Sequence, residues 1–167
     1  MSKLPFKLKG LTLRQRKTSD EAFLRLAYES SRLEELSPIQ WENPGQRVAF
    51  LEHQFSAQDT HFKNFNPDMD YDIIELHGKP IGRLALDWKD DHVHIVDLII
   101  ITEYQKQQIG SQVMEAIIKE VDKRGISASV MYEKWKPHNE KFYERYGFKS
   151  TKDYPTHVYM SRGKSEP

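Results

Sequence analysis

The residues best suited to chemistry lie in one segment, Asp97-Leu98-Ile99-Ile100-Ile101-Thr102-Glu103-Tyr104-Gln105-Lys106-Gln107-Gln108-Ile109-Gly110-Ser111. An apolar strand ends, a polar loop turns, and an amphipathic helix begins within a few residues. The first turn of such a helix carries N–H groups with no intrahelical partner and sits at the positive end of the helix dipole. Main-chain donors alone can hold a pyrophosphate there. Gly110 lets the chain pass close to that ligand, and Ser111 adds a hydroxyl. An ordinary strand–helix turn has the same composition, so the segment by itself leaves both readings open.

Three other groups carry polar chemistry. Gln54, Gln58 and His61 recur at i, i+4 and i+7 on a helix, and Gln58 falls between Leu51 and Phe65 on its apolar side. A buried amide there must find partners, either a loop or a bound molecule. Glu29 and Arg32 on the preceding helix could join such a wall. His92-Val93-His94 puts two imidazoles on one strand face; a metal would need further ligands that no neighbouring cluster supplies, so exposed hairpin histidines and no metal are expected. Lys134, Trp135, Lys136 and His138 form a basic-aromatic cluster too small for a nucleic-acid patch.

These residues need elements to place them. Leu11 to Arg16 alternates as a strand, and Thr18, Ser19 and Asp20 offer N-caps for a helix carrying Phe23, Leu26, Ala27 and Leu33. A second helix from about Gln46 to Phe65 aligns Val48, Leu51, Phe55 and Phe62 on one face. Strands follow at Tyr71–Leu76 and Ile81–Trp88 about the turn His77-Gly78-Lys79-Pro80, then at Val93–Ile101, whose apolar end suits a central position. The helix of Ile109, Val113, Ile117 and Val121 stops at Gly125. Ile126–Tyr132 alternates again, Asn139–Tyr146 is a short helix, and Phe148–Thr151 with His157–Arg162 closes the pattern as a strand pair. The order predicts a mixed α/β (α+β) domain with one β-α-β crossover.

Lys plus Arg number 25 and Asp plus Glu number 25, and the halves on either side of Arg83 are each balanced. No basic or acidic half exists to steer the chain to nucleic acid or a membrane surface. Cysteine is absent, which removes disulfides, thiolate zinc sites and covalent cysteine catalysis, and fits a reducing compartment. Met1 to Gly10 lacks the apolar stretch of a signal peptide. Ile95–Ile101, interrupted by Asp97, falls far short of the ~20 residues of a membrane helix. A cytoplasmic protein is expected.

With the elements placed, Asp97 to Ser111 resembles the acetyl-CoA-binding motif of the GNAT (Gcn5-related N-acetyltransferase) superfamily. That motif is Gln/Arg-x-x-Gly-x-Gly/Ala behind a strand of the form Asp-Leu-x-Val-x-Pro-Glu-Tyr. Asp97-Leu98, Glu103-Tyr104, Gln105, Ile109-Gly110 and Ser111 match; Thr102 replaces the proline and Gln108 the first glycine. A side chain at Gln108 narrows the approach to the pyrophosphate, which a helical backbone angle would tolerate. The likeness runs from about Leu11 to Arg162. Pro80-Ile81-Gly82-Arg83-Leu84 resembles the strand that ends the family's first hairpin, and Phe142-Tyr143-Glu144-Arg145-Tyr146-Gly147-Phe148 its C-terminal helix and turn. Seven residues before Tyr143, where the family often has asparagine, stands Lys136, with Asn139 nearby.

The resemblance implies a GNAT fold: a central mixed, mostly antiparallel sheet flanked by helices, with the crossover binding acetyl-CoA. One domain over residues 1–167 is expected, its core about 11–162 and its tail Gly163–Pro167 disordered. The expected cofactor residues are Ile99, Ile100, Ile101, Gln105, Lys106, Gln108, Ile109, Gly110, Ser111, Lys136 and Asn139, with the Lys134–His138 cluster meeting the adenosine phosphates. Tyr143 matches the family's frequent general acid, though packing beside Phe142 and Tyr146 would also explain it. Asp97 matches a carboxylate near the acceptor amine; a base, a link to the neighbouring strand, and action through water stay open. The oxyanion donor would be a main-chain N–H near Ile100. Glu29, Arg32, Gln54, Gln58 and His61 would border the acceptor. The expected activity is direct acetyl transfer from acetyl-CoA, without a metal, to a small-molecule or peptide amine. No nucleic-acid or membrane partner is expected, and a homodimer is an open option. A GNAT-like module that binds CoA or a partner without turnover is the alternative.

Overall fold

The computed structural model describes residues 4–164, so Ser165–Pro167 of the expected tail lie outside it. Among these residues, seven strands and four α-helices form in the order β1 (Leu11–Gln15), α1 (Glu21–Leu36), α2 (Pro44–Phe65), β2 (Asp70–Leu76), β3 (Lys79–Trp88), β4 (His92–Ile100), α3 (Ile109–Arg124), β5 (Ser127–Glu133), α4 (His138–Glu144), β6 (Lys149–Asp153) and β7 (His157–Arg162). The strands make one sheet, ordered β1-β2-β3-β4-β5-β7-β6. Every neighbouring pair is antiparallel except β4 and β5. Parallel neighbours need a long crossover, and α3 supplies it.

Local chemistry explains the element ends. His77 and Gly78 both take positive φ, 49° and 78°, the pairing that closes a two-residue hairpin with the twist of its strands. Asn43 caps α2 by accepting the Gln46 N–H at 2.9 Å, and Pro44 starts that helix before the expected Gln46. Gly125 takes φ 64° as the C-cap of α3.

The two faces of the sheet are covered differently. On one, α3 buries Ile109, Val113, Met114, Ile117 and Val121 against Leu84, Leu86, Val93, Ile95, Ala128 and Val130. On the other, Leu24, Tyr28 and Phe55 pack on Ile73, while Ala27 packs on Ile99 and Ile101. Three expected core residues lie outside this packing. Leu26 is 50% exposed, Leu33 40% and Val48 60%. On α1 the buried positions are Leu24, Ala27, Tyr28 and Leu36, which turns Leu26 and Leu33 outward. Val48 lies in the first turns of α2, before that helix meets the core at Leu51 and Phe55.

Candidate active site

The sheet opens in its middle. β4 and β5 pair only from His92–Ser127 to Ile95–Val130, although β4 continues to Ile100 and β5 to Glu133. The cause is visible on the other edge of β4. Leu86 faces Ile95 and Ala85 faces Asp97, so Val96 is an extra residue, and a bulge bends the strand as it leaves β5. The divergence starts at Val96, and Ile100, near which the oxyanion-donating N–H is expected, lies further along, towards the open end of the slot. The Ile100 carbonyl accepts from Gln105 Nε2 at 2.8 Å.

At that open end the chain passes from Ile101 through a 3₁₀ turn, Thr102–Tyr104, into α3. Lys106 and Gln108 both take positive φ, 58° and 61°. Gln108 is therefore left-handed, not helical, and occupies its glycine position at a strain cost of about 1–2 kcal/mol. No side chain caps α3, so its first N–H groups face outward without a side-chain partner. A Cβ at Gly110 would meet only Phe142 Cζ, at 4.0 Å, so the protein itself does not require glycine there.

The slot is flanked by one acid and one ion pair. Tyr143 on α4 is buried against Phe142 and Phe148, and no hydrogen bond among the described residues holds its hydroxyl. Burial pushes its phenol well above the ordinary range, and the charges of Asp97 and Glu133 push the same way. It stays a proton donor at neutral pH. Asp97, with its side chain 21% exposed, receives Arg83 Nε and Nη2 on the single oxygen Oδ2, at 2.5 Å each. Arg83 is 1% exposed, and two of its remaining N–H groups go to Tyr71 Oη at 3.1 Å and Gln58 Oε1 at 2.6 Å. Four of the five guanidinium N–H groups are thus bonded and each nitrogen has a partner, which offsets much of the cost of burying the charge.

A family model described as "Acetyltransferase (GNAT) family" matches residues 32–148. The chain belongs to the GNAT acetyltransferase family. Solved structures agree on the fold. The PaiA N-acetyltransferase of Thermoplasma acidophilum, in complex with coenzyme A, aligns with a TM-score of 0.69 at 17% identity, covering 92% of this chain and 98% of that one. An acetyltransferase from Thermus thermophilus gives 0.68 at 20% identity, covering 95% and 99%. The ribosomal-protein-S18-alanine N-acetyltransferase of Escherichia coli gives 0.62 at 19%, covering 94% and 96%. No curated protein sequence matches this one.

The GNAT fold gathers some expected site residues and disperses others. Gln58 finds a partner, as its half-buried amide required, but the partner is Arg83. His61 is exposed and stacks on Phe65, 4.5 Å between centroids, away from the slot. Glu29 pairs with Arg47 at 2.8 Å, and Arg32 donates to Tyr28 Oη at 2.7 Å. Gln54 is half-buried on α2. Lys136 does not wait for a phosphate: its Nζ donates to the Ser31 carbonyl at 2.9 Å, tying the β5–α4 loop to α1. Lys134 forms an exposed pair with Asp153 at 2.6 Å. Asn139 sits in the first turn of α4, its N–H bonded to the Lys136 carbonyl. Arg83, which orders the polar side of the site, is not among the expected residues. His92 and His94 are half-buried and hydrogen-bonded, not the exposed pair the sequence suggested. Among the described residues no group of three His, Cys, Asp or Glu could hold a metal, and no helix is long and apolar enough to cross a membrane.

Proposed function

We propose that this GNAT chain transfers the acetyl group of acetyl-CoA to an amine by direct attack in a ternary complex. The observation that carries the reading is the slot between β4 and β5, open at one end onto the uncapped first turn of α3. Pyrophosphate suits those N–H groups, and the pantetheine arm suits the unpaired strand edges, which offer main-chain donors and acceptors. Tyr143 then protonates the departing thiolate, a task that a phenol kept protonated by burial can perform. Asp97 keeps its Oδ1 clear of Arg83 and orients the acceptor's nitrogen on the α1–α2 face. With no cysteine in the chain, an acyl-cysteine intermediate is excluded. A reducing cytoplasmic setting and a small-molecule or peptide amine acceptor complete the proposal.

A CoA-binding module without turnover is the second reading, favoured by Gln108 in a glycine position and by Lys136 bound across to α1. Thermal shift with CoA followed by free-thiol release from acetyl-CoA over an amine panel separates the two. Amine-dependent thiol release supports transfer. A clear CoA shift with no release by any amine contradicts it and leaves the binding module.

A further inference from the structure

Below the slot, on the same face as Asp97, lies a second polar cluster that the transfer chemistry above leaves unused. Asp87 and Ala85 are alternate residues of β3 and share a face; their partners across the ladder are His94 and Asp97. His94 and Ser129 are the last pair on that face before β4 and β5 separate. Ser129 is fully buried, and its Oγ lies 2.7 Å from His94 Nδ1 and 2.7 Å from His92 Nε2. His92 Nδ1 lies 2.7 Å from Ser127 Oγ, which donates to the Asp91 carbonyl at 3.2 Å.

One direction of this chain makes all four bonds, the Ser127–Asp91 bond included. A hydroxyl has one proton to give. Ser127 gives its proton to the Asp91 carbonyl, so it accepts from His92 Nδ1–H. In the neutral ring His92 Nε2 is then an acceptor, and it takes the Ser129 proton. Ser129 must in turn accept from His94 Nδ1–H, which leaves His94 Nε2 as a bare lone pair. The ring is held in place by Tyr159 of β7, stacked at 6.0 Å with planes 7° apart.

Resting on the transferase reading, we infer that His94 Nε2 is the base that removes the acceptor's proton, and that Ser129, His92 and Ser127 position it by fixing its tautomer. An acceptor arriving as an ammonium sheds one proton to His94 Nε2, which passes it to water. The freed nitrogen bonds to the thioester carbon. Tyr143 protonates the sulfur as the C–S bond breaks, and the second proton lost by the nitrogen restores the Tyr143 hydroxyl. One proton leaves per amide formed.

The surroundings suit the task. Burial, with the neighbouring His92 adding to it, pushes the His94 imidazole below its usual 6.5, so the ring is neutral at pH 7 and free to accept. Asp87 across the ladder works the other way and favours the transient imidazolium. Asp87 is itself held by Asn66 Nδ2 at 2.9 Å and Lys89 Nζ at 3.0 Å, and Lys152 of β6 reaches over the outer ring of Tyr159.

The test pairs a tautomer measurement with kinetics. In ¹⁵N NMR of the full chain at pH 7, His94 is expected to show a protonated Nδ1 and a bare Nε2; the opposite tautomer overturns the inference. For kinetics the amine panel is an N-terminally free peptide, a lysine peptide, a polyamine and an arylalkylamine. His94→Gln should fold, shift with acetyl-CoA as the parent does, and release thiol about 10²-fold more slowly. The parent's fall in rate below its histidine pKa should vanish in the variant, and imidazole should rescue His94→Ala. A His94→Gln chain with the parent's rate and pH profile overturns the assignment while leaving the transferase reading intact. A parent that binds acetyl-CoA and releases no thiol with any panel amine overturns both.

Discussion

Two polar clusters lie on one face of β4, on either side of the Val96 bulge, and they meet burial in opposite ways. Beyond the bulge, Arg83 and Asp97 bring full charges under α2 and satisfy them with Tyr71 and Gln58. Before it, His92, His94, Ser127 and Ser129 hold a chain of uncharged hydrogen bonds. The charged cluster is rigid, since any missing partner strands a buried ion. The neutral one has a single place to take up a proton, His94, whose burial favours the neutral ring. A site that must orient one ligand and also move a proton gains from keeping these jobs apart.

Substitutions can break that contrast, starting at the charged side. Arg83→Leu strands Asp97 and Gln58 and should destabilise the fold by about 3–5 kcal/mol in urea denaturation, with the paired Arg83→Leu/Asp97→Leu change recovering much of it. Ser129→Ala removes an uncharged link and should cost only about 1–3 kcal/mol by the same measurement. Equal losses would mean the two clusters do not differ in kind.

Asp72 sharpens the point because it is a buried carboxylate without an arginine. Burial first, and Asp70 second, push it up to about 6. A group whose folded pKa is raised favours the folded state below the unfolded value, and that benefit is lost as pH rises through 6. Asp72→Asn should therefore stabilise the chain at pH 7, on the order of 1 kcal/mol, and change little at pH 4. Asp20, by contrast, is held at about 2, chiefly by its hydrogen bond from Arg14. Thermal melts at the two pH values check the sign. The smallest effect belongs to Gln108→Gly, which relieves a left-handed side chain against a small entropic cost. A net gain of about 0.5 kcal/mol is expected, read as a rise in denaturation midpoint.

The run from β4 through the 3₁₀ turn into α3 was legible in the chain because its signals are local. A strand, a turn and a helix repeat sit next to one another in sequence, and Gly125 and Asn43 mark ends by their own backbone chemistry. The polar clusters were not legible, since each joins strands and helices far apart in sequence. Gln58 meets Arg83, and His94 meets Ser129, only through sheet register. The signals that were available named members without their partners: the Gln58 amide on an apolar helix face, the pair His92 and His94 on one strand face, and a charge inside Pro80-Ile81-Gly82-Arg83-Leu84. The exposure of Val48 and Leu26 escaped periodicity for a related reason: a helix pattern does not say where along its length the core begins.

Transfer of acetyl at the β4–β5 slot is tested most directly by turnover of Tyr143→Phe with acetyl-CoA and an amine that the parent accepts. The change removes one hydroxyl and keeps the ring that packs on Phe142 and Phe148, so folding and acetyl-CoA affinity should persist. General acid catalysis is worth about 10²–10⁴ in rate, and turnover should fall by that order where chemistry limits. A phenylalanine variant that keeps the parent rate under those conditions would contradict the account and leave Tyr143 a core residue.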